Sequence, residues 1–289
     1  MPINQLERHP FLDYRENPNI KDRKKPYKGI IIGSFPIFSL TSKLDLHLEI
    51  IDNNYNNIPN DIRMNFFYGS AKSKLWDLLF NVFINENNIN RDNAILLLEE
   101  NNLIMSDVIF QSNRKNKSAS DVDLMVNIQN NIGQNLELNN SIINILNTNE
   151  EVVNIFFTAI GLYGKTPFGW FKEIYSNEEI IIENENYIGN NIWSLTIVIN
   201  KRKFNVFLLP TPKERTIHFT DNQRHIGFCN YLKSIDPLFY NQIINILKAN
   251  RTPKQKQLLS KHRAAFLIEI YRQAFVFNNL RFDGNINAI

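Results

Sequence analysis

One cysteine, Cys229, in 289 residues excludes an intrachain disulfide and a cysteine-built zinc site. That usage fits a reducing cytoplasm, which is the expected location. The five histidines, His9, His47, His218, His225 and His262, are scattered, with no HExxH-like spacing. No metal and no cofactor are therefore expected. No run approaches the roughly eighteen uninterrupted apolar residues of a membrane-spanning helix. The opening MPINQLERHPFLDY lacks the apolar stretch of a secretory signal, so none is expected. Internal repeats and low-complexity linkers are also missing.

What remains is a chain that is 43% hydrophobic and 21% charged, enough apolar material for a large core and too little charge for disorder. The length allows one elaborated domain or two small ones. Asn takes roughly one position in six, which dilutes local propensity. The net charge of +3 conceals an asymmetry. Residues 201–289 hold 15 Lys/Arg against 5 Asp/Glu, and residues 1–200 hold 17 against 24. A basic final third points to a polyanion such as nucleic acid, with a solvated basic helix surface as the plain alternative.

Residues 1–28 are polar and proline-punctuated, end in KDRKKPYK, and read as a basic arm. GIIIGSFP (29–36) is a short apolar run closed by turn residues, the pattern of a buried strand. SKLWDLLFNVF (73–83) has apolar positions 75, 76, 78, 79, 82 and 83, which is helical spacing, with Ser70 or Ser73 as N-cap. DNAILLLEENNLI (92–104) predicts a second helix, SDVIFQS (106–112) a strand, ELNNSIINILN (137–147) a third helix, and EVVNIFFTAI (151–160) a buried strand with a helix after it. Residues 180–210 read as a hairpin feeding a strand, and the tail reads as helical. Strands alternating with helices predict an α/β fold with a mostly parallel central sheet. In such sheets ligands bind beyond the carboxyl ends of the strands. The loops after 29–33, 106–110 and 204–209 then define the candidate site.

GSAKS (69–73) is not a phosphate-binding P-loop, because Ala71 stands where the second Gly belongs and Phe66 where the first does. Taken in order, however, GSFPI (33–37), FFYGSAKSKLW (66–76), LIMSDVIFQSNRKNKSASDVDL (103–124), VVNIFFTAIG (152–161) and LLPTPKERT (208–216) resemble successive segments of the uracil-DNA glycosylase superfamily. The likeness is nearest to its mismatch-specific and hypoxanthine (deoxyinosine) branches and spans roughly residues 28–216. It implies a three-layer sandwich with helices on both sides of the sheet, over 29–216, and a basic helical extension, 217–289, packed on the same domain. Against the family pattern, Phe35 or its neighbours replace the water-positioning Asn or Asp. Ser70, Ala71 and Ser73 stand where the aromatic segment carries His, Pro and Asn.

The resemblance implies a monofunctional DNA glycosylase that flips an altered base from single- or double-stranded DNA into a pocket and leaves an abasic site. On that reading Gly33 and Pro36 shape the approach to the nucleotide, and Phe35, Phe67 or Tyr68 stacks on the base, although core packing explains the aromatics as well. Ser70 and Ser73 at a helix start bind a sugar-phosphate with backbone N–H groups. Pro210, Thr211, Pro212, Lys213 and Arg215 form the loop pressed into the minor groove. Asp121 is the first candidate to position water and stabilise the sugar cation, Asp123 the second, and Ser34 a third. Asp121 also fits as a helix cap. The altered pocket residues suggest a bulky modified base, such as phage DNA carries, and thus antiviral defence. A non-catalytic nucleic-acid-binding protein on the same fold, or an enzyme acting on free nucleosides or nucleotides, are the alternatives.

Overall fold

The computed structural model describes residues 6–12, 26–36, 40, 62–64, 66–71, 73–84, 88–113, 136–164, 166–175, 179–190, 192–220 and 222–276. Nine strands appear among them: β1 (Leu6–Arg8), β2 (Gly29–Gly33), β3 (Leu103–Asp107), β4 (Ile109–Asn113), β5 (Glu137–Leu138), β6 (Asn154–Phe157), β7 (Ile181–Gly189), β8 (Ile192–Ile199) and β9 (Arg202–Leu208). The helices are α1 (Leu75–Phe83), α2 (Arg91–Glu100), α3 (Ser141–Thr148), α4 (Pro167–Ile174), α5 (Ile226–Ile235), α6 (Pro237–Ile243) and α7 (Pro253–Phe275).

The fold is α/β. Six strands form a sheet in the order β3-β2-β6-β9-β8-β7. The first four run parallel, and β9, β8 and β7 close the sheet as an antiparallel meander. β2 lies inside the parallel part and is buried at all five positions, which is why GIIIG reads as an unbroken apolar run. β6 shows how both faces are covered. Phe156 stacks on Phe275 of α7, with ring centroids 4.1 Å apart, while Phe157 packs edge-on against Phe168 and Phe171 of α4. Neighbouring residues of a strand point to opposite faces, so helices flank the sheet on both sides. α1 lies on the α7 side, where Phe83 meets Phe275. The far edge, β7, carries Glu183 and Glu185, pairs irregularly with β8, and has Asn184 at φ 49°. These features discourage pairing with another chain.

The second, three-stranded sheet has the order β1-β4-β5 and is antiparallel. The sequence reads 106–112 as one strand, but the chain changes sheets inside it. β3 ends at Asp107, the N–H of Val108 donates to the Gly33 carbonyl, and β4 leaves to pair with β1. The helix expected to reach residue 104 stops at Glu100, and Asn102 turns the chain at φ 57°. Leu103 and Ile104 belong to β3. The segment read as a basic arm contributes β1 and buries His9 and Phe11 in the core.

Two contacts fix parts remote in sequence. The Arg202 guanidinium donates to the carbonyls of Leu146, Asn149, Glu150 and Val152, and so closes the carboxyl end of α3 and the turn after it. α7 begins with a capping box: the Thr252 side chain accepts from the Gln255 N–H, and the Gln255 side chain accepts from the Thr252 N–H. No helix among the described residues is long and apolar enough to cross a membrane.

Candidate functional site

A cavity of about 210 Å³ opens at the carboxyl ends of the four parallel strands. Each strand end supplies a polar lining residue: Ser34 after β2, Asp107 at the end of β3, Thr158 after β6, and Thr211 after β9. Phe35, Pro36, Tyr68, Ser70, Ser73, Pro212 and Lys213 complete much of the wall. This is where a twisted parallel sheet leaves a crevice.

Asp107 is the chemical centre of the cavity and was not singled out from the sequence. It is 3% exposed. Its Oδ2 lies 2.8 Å from His9 Nε2, while Oδ1 makes no hydrogen bond. The Phe11 N–H donates to His9 Nδ1 at 3.1 Å, so Nδ1 carries no proton. The proton therefore sits on Nε2 and points at Asp107, in the arrangement of a neutral imidazole that orients a carboxylate. Burial raises the Asp107 carboxyl above the usual carboxylate range. The His9 hydrogen bond and the neighbouring Gly33 amide offset part of that rise. His9 itself is boxed by Phe11, Phe35 and Phe67, with ring centroids 5.9, 6.0 and 5.0 Å away. Behind Asp107, the Asn139 amide donates to the Asp107 carbonyl and to Ser106 Oγ, which holds the turn between β3 and β4.

Gly33 sits under this carboxylate. A Cβ there would stand 2.1 Å from Tyr68 Oη and 2.3 Å from Asp107 Oδ1. The glycine is needed because side chains of the protein itself crowd the position. Tyr68 adopts φ 53°, a left-handed conformation that is costly for an aromatic residue, and its hydroxyl hydrogen-bonds Thr158 Oγ1. Tyr68 Oη and Asp107 Oδ1 thus converge over one backbone position beside the Thr158 hydroxyl. Such a group of oxygens can hold a water or read the polar edge of a planar ligand.

The remaining sequence candidates divide. Ser34, Phe35, Pro36, Tyr68, Ser70, Ser73, Thr211, Pro212 and Lys213 all line the cavity. Phe67 does not: it is fully buried between His9, Phe11 and Phe66, and its carbonyl accepts the Trp76 indole N–H at 2.7 Å. Core packing claims that ring. The expected helix cap also differs, since α1 starts at Leu75 and Ser73 Oγ approaches its N–H at only 3.4 Å. The amides of Ser73 and Lys74 are already committed to the Ser70 and Pro212 carbonyls. The serines therefore offer the cavity their side chains rather than a helix-terminal nest of N–H groups. Asp121 and Asp123 lie outside the described residues.

The 210–216 loop is held from three directions. The Tyr271 hydroxyl of α7 donates to the Pro210 carbonyl at 2.9 Å, the Lys74 N–H to Pro212, and the Thr216 hydroxyl lies within hydrogen-bond reach of the Thr211 and Lys213 carbonyls. Pro210 is buried, whereas Arg215 is exposed and faces a different groove. Among the described residues no three His, Cys, Asp or Glu side chains are placed to hold a metal ion. Nothing local in the sequence joins His9 to Asp107, 98 residues apart. In the sequence Asp107 falls inside the segment expected as a strand, 106–112; no described residue of the loop expected to complete the site after 106–110 lines the cavity, because the chain leaves the large sheet at Val108. Neither the protein-family models nor the curated proteins include a match to this chain.

Proposed function

We propose that the chain is a monofunctional DNA glycosylase that takes a flipped base into the cavity at Ser34–Pro36 and hydrolyses its N-glycosidic bond. The observation that carries this reading is Asp107. It is a buried carboxylate that lines the cavity at the end of β3, with one oxygen fixed by His9 and the other, Oδ1, buried beside Gly33 without a hydrogen bond. The order and identity of the GSFPI, FFYGS and LLPTPKERT segments support the same reading, because all three loops meet there. The volume equals about seven waters at about 30 Å³ each, room for one flat ring system and a water.

In this mechanism Phe35 supplies an apolar face for the base, and Tyr68 and Thr158 meet its polar edge. Asp107 Oδ1 holds a water against C1′ of the sugar and stabilises the positive charge that grows there as the bond to the base breaks. The bonding electrons leave with the base nitrogen. The water oxygen bonds to C1′, and its proton passes to Asp107, a transfer favoured by the burial that raises this carboxyl above the usual carboxylate range. The departing base then takes up a proton, leaving an abasic site and a free base. Asp107 thus takes the role that the sequence assigned first to Asp121. The excised base is a modified or deaminated one, and a role against phage DNA is consistent with the substituted wall residues Ser70 and Ser73.

The test is abasic-site formation on DNAs carrying uracil, hypoxanthine, or hydroxymethylated or glucosylated cytosine, read as strand breaks after alkali. Breaks on one substrate should fall about 10²–10⁴-fold in Asp107→Asn. Full activity in that variant would refute the role of Asp107. Salt-sensitive binding with no breaks on any substrate would favour a non-catalytic nucleic-acid-binding protein instead.

A further inference from the structure

A second concavity, about 430 Å³, lies between the 215–220 segment, the turn after α6 and the start of α7. Its basic lining residues are Arg215, His218, Lys248, Arg251 and Arg263, and no Asp or Glu lines it. Arg251 is only 9% exposed, with its guanidinium stacked 4.8 Å from the Phe219 ring. The Nε–H groups of Arg251 and Arg263 are buried and have no acceptor. None of the ion pairs among the described residues involves Arg215, Lys248, Arg251 or Arg263. Burial holds both guanidinium pKa values below the ordinary arginine value, and at Arg263 the nearby Arg251 charge adds to that. Two neighbouring cations, partly desolvated and unpaired, are unfavourable unless an anion joins them. A guanidinium edge made of Nε–H and one Nη–H matches two oxygens of a phosphate.

The position of the groove indicates which phosphate. Lys213 lines the cavity and Arg215 lines the groove, separated by one residue of a tight turn, so their Cα atoms lie within about 7 Å. A strand whose base enters the cavity carries its flanking phosphates past that turn. We propose that this groove binds a backbone phosphate of a nucleic-acid strand engaged at the adjacent cavity. The nucleic-acid part of this inference rests on the glycosylase reading; the anion site itself does not.

The experiment measures binding of a fluorescent duplex and a single-stranded oligonucleotide over a range of salt, with wild type, Arg251→Gln/Arg263→Gln, and the exposed-rim pair Arg215→Gln/Lys248→Gln. The rim pair guards against misfolding of the buried pair. For every phosphate that a variant no longer neutralises, the log–log salt slope should fall by about 1, with weaker binding whatever the sequence. A second arm follows the melting temperature in inorganic phosphate, which should rise in wild type and not in Arg251→Gln/Arg263→Gln. Unchanged slope and affinity in both variant pairs overturn the proposal. Phosphate stabilisation without any effect on DNA binding also overturns it, and assigns the groove to a free phosphate. The two readings fail separately. A wild type that makes no abasic sites but shows the slope change loses the glycosylase and keeps the groove. A wild type that makes them, with groove variants that bind like it, loses only the groove.

Discussion

Gly33→Ala is the most direct probe of the oxygen cluster. The new Cβ would stand 2.1 Å from Tyr68 Oη, 2.8 Å from Tyr68 Cζ and 2.3 Å from Asp107 Oδ1. Ordinary contact requires each oxygen to retreat by about 1 Å. Neither is free to do so. The tyrosine hydroxyl is bound to Thr158, and its backbone is already held at φ 53°. The carboxylate is anchored through Oδ2 to a histidine whose side chain is fully buried. Gly33 has no positive φ, so the penalty is one of space alone. Overpacking of this kind costs about 1–3 kcal/mol. For a chain this size that is a fall in melting temperature of about 2–12 °C. Moving Oδ1 by about 1 Å should also reduce abasic-site formation about 10²-fold.

Calorimetry on Gly33→Ala, Tyr68→Phe and the double variant separates the contacts. Tyr68→Phe alone loses the bond to Thr158, about 1 kcal/mol. It also removes the 2.1 Å clash, so the double variant should be less destabilised than the two single effects combined, by about 0.5–3 kcal/mol. A Gly33→Ala protein that melts with wild type and keeps its activity would refute the convergence of Tyr68 and Asp107 over this position.

Asp107→Asn should trade stability against activity. A carboxyl whose folded pKa is raised contributes stability that is fully present below its unfolded pKa and is lost as pH rises through the folded value. The variant should therefore melt above wild type at about pH 8, with the gap shrinking toward about pH 4, while wild-type turnover falls as acid protonates Asp107. Arg202→Lys keeps the charge but loses the fork that reaches four carbonyls, and urea unfolding should show a loss of about 2 kcal/mol or more. Thr252→Ala breaks the capping box of α7 and should cost about 1 kcal/mol without changing the salt dependence of DNA binding.

The parts of the fold legible in the sequence were those with one dominant local signal. GIIIG is apolar on both faces between turn residues, and 75–83 keeps helical spacing across its whole length. The meander at 181–208 is marked by turns with Asn190, Asn200 and Lys201 at positive φ. Where two elements share one apolar run, local pattern failed. ILLLEENNLIMSDVIF contains a helix end and parts of two strands in different sheets, and only Asn102 marks the first break. Two loops of the site, after 29–33 and after 204–209, were legible because polar residues follow strand ends; the third, expected after 106–110, lies instead at Asp107, where β3 gives way to β4. Its central pair was not, because a buried His–Asp contact is a product of topology. β1 must pair with β4 before His9 can reach the end of β3.

That topology gives the N-terminal strand a specific task. An isolated carboxylate at Asp107 would be free to rotate toward solvent or take a proton. His9 removes that freedom by binding one oxygen, the Phe11 amide fixes the imidazole tautomer, and Phe11, Phe35 and Phe67 fix its plane. The loop from Pro210 to Thr216 is restrained from the other side by Tyr271 and Lys74. Asp107 and Lys213 therefore reach the cavity on supports drawn from opposite ends of the chain, residues 9–11 and α7. A strand bound by the basic groove near α7 would press on the same loop that carries Lys213. Backbone recognition and placement of the base are then two functions of one braced turn, and loosening Tyr271 should disturb both together.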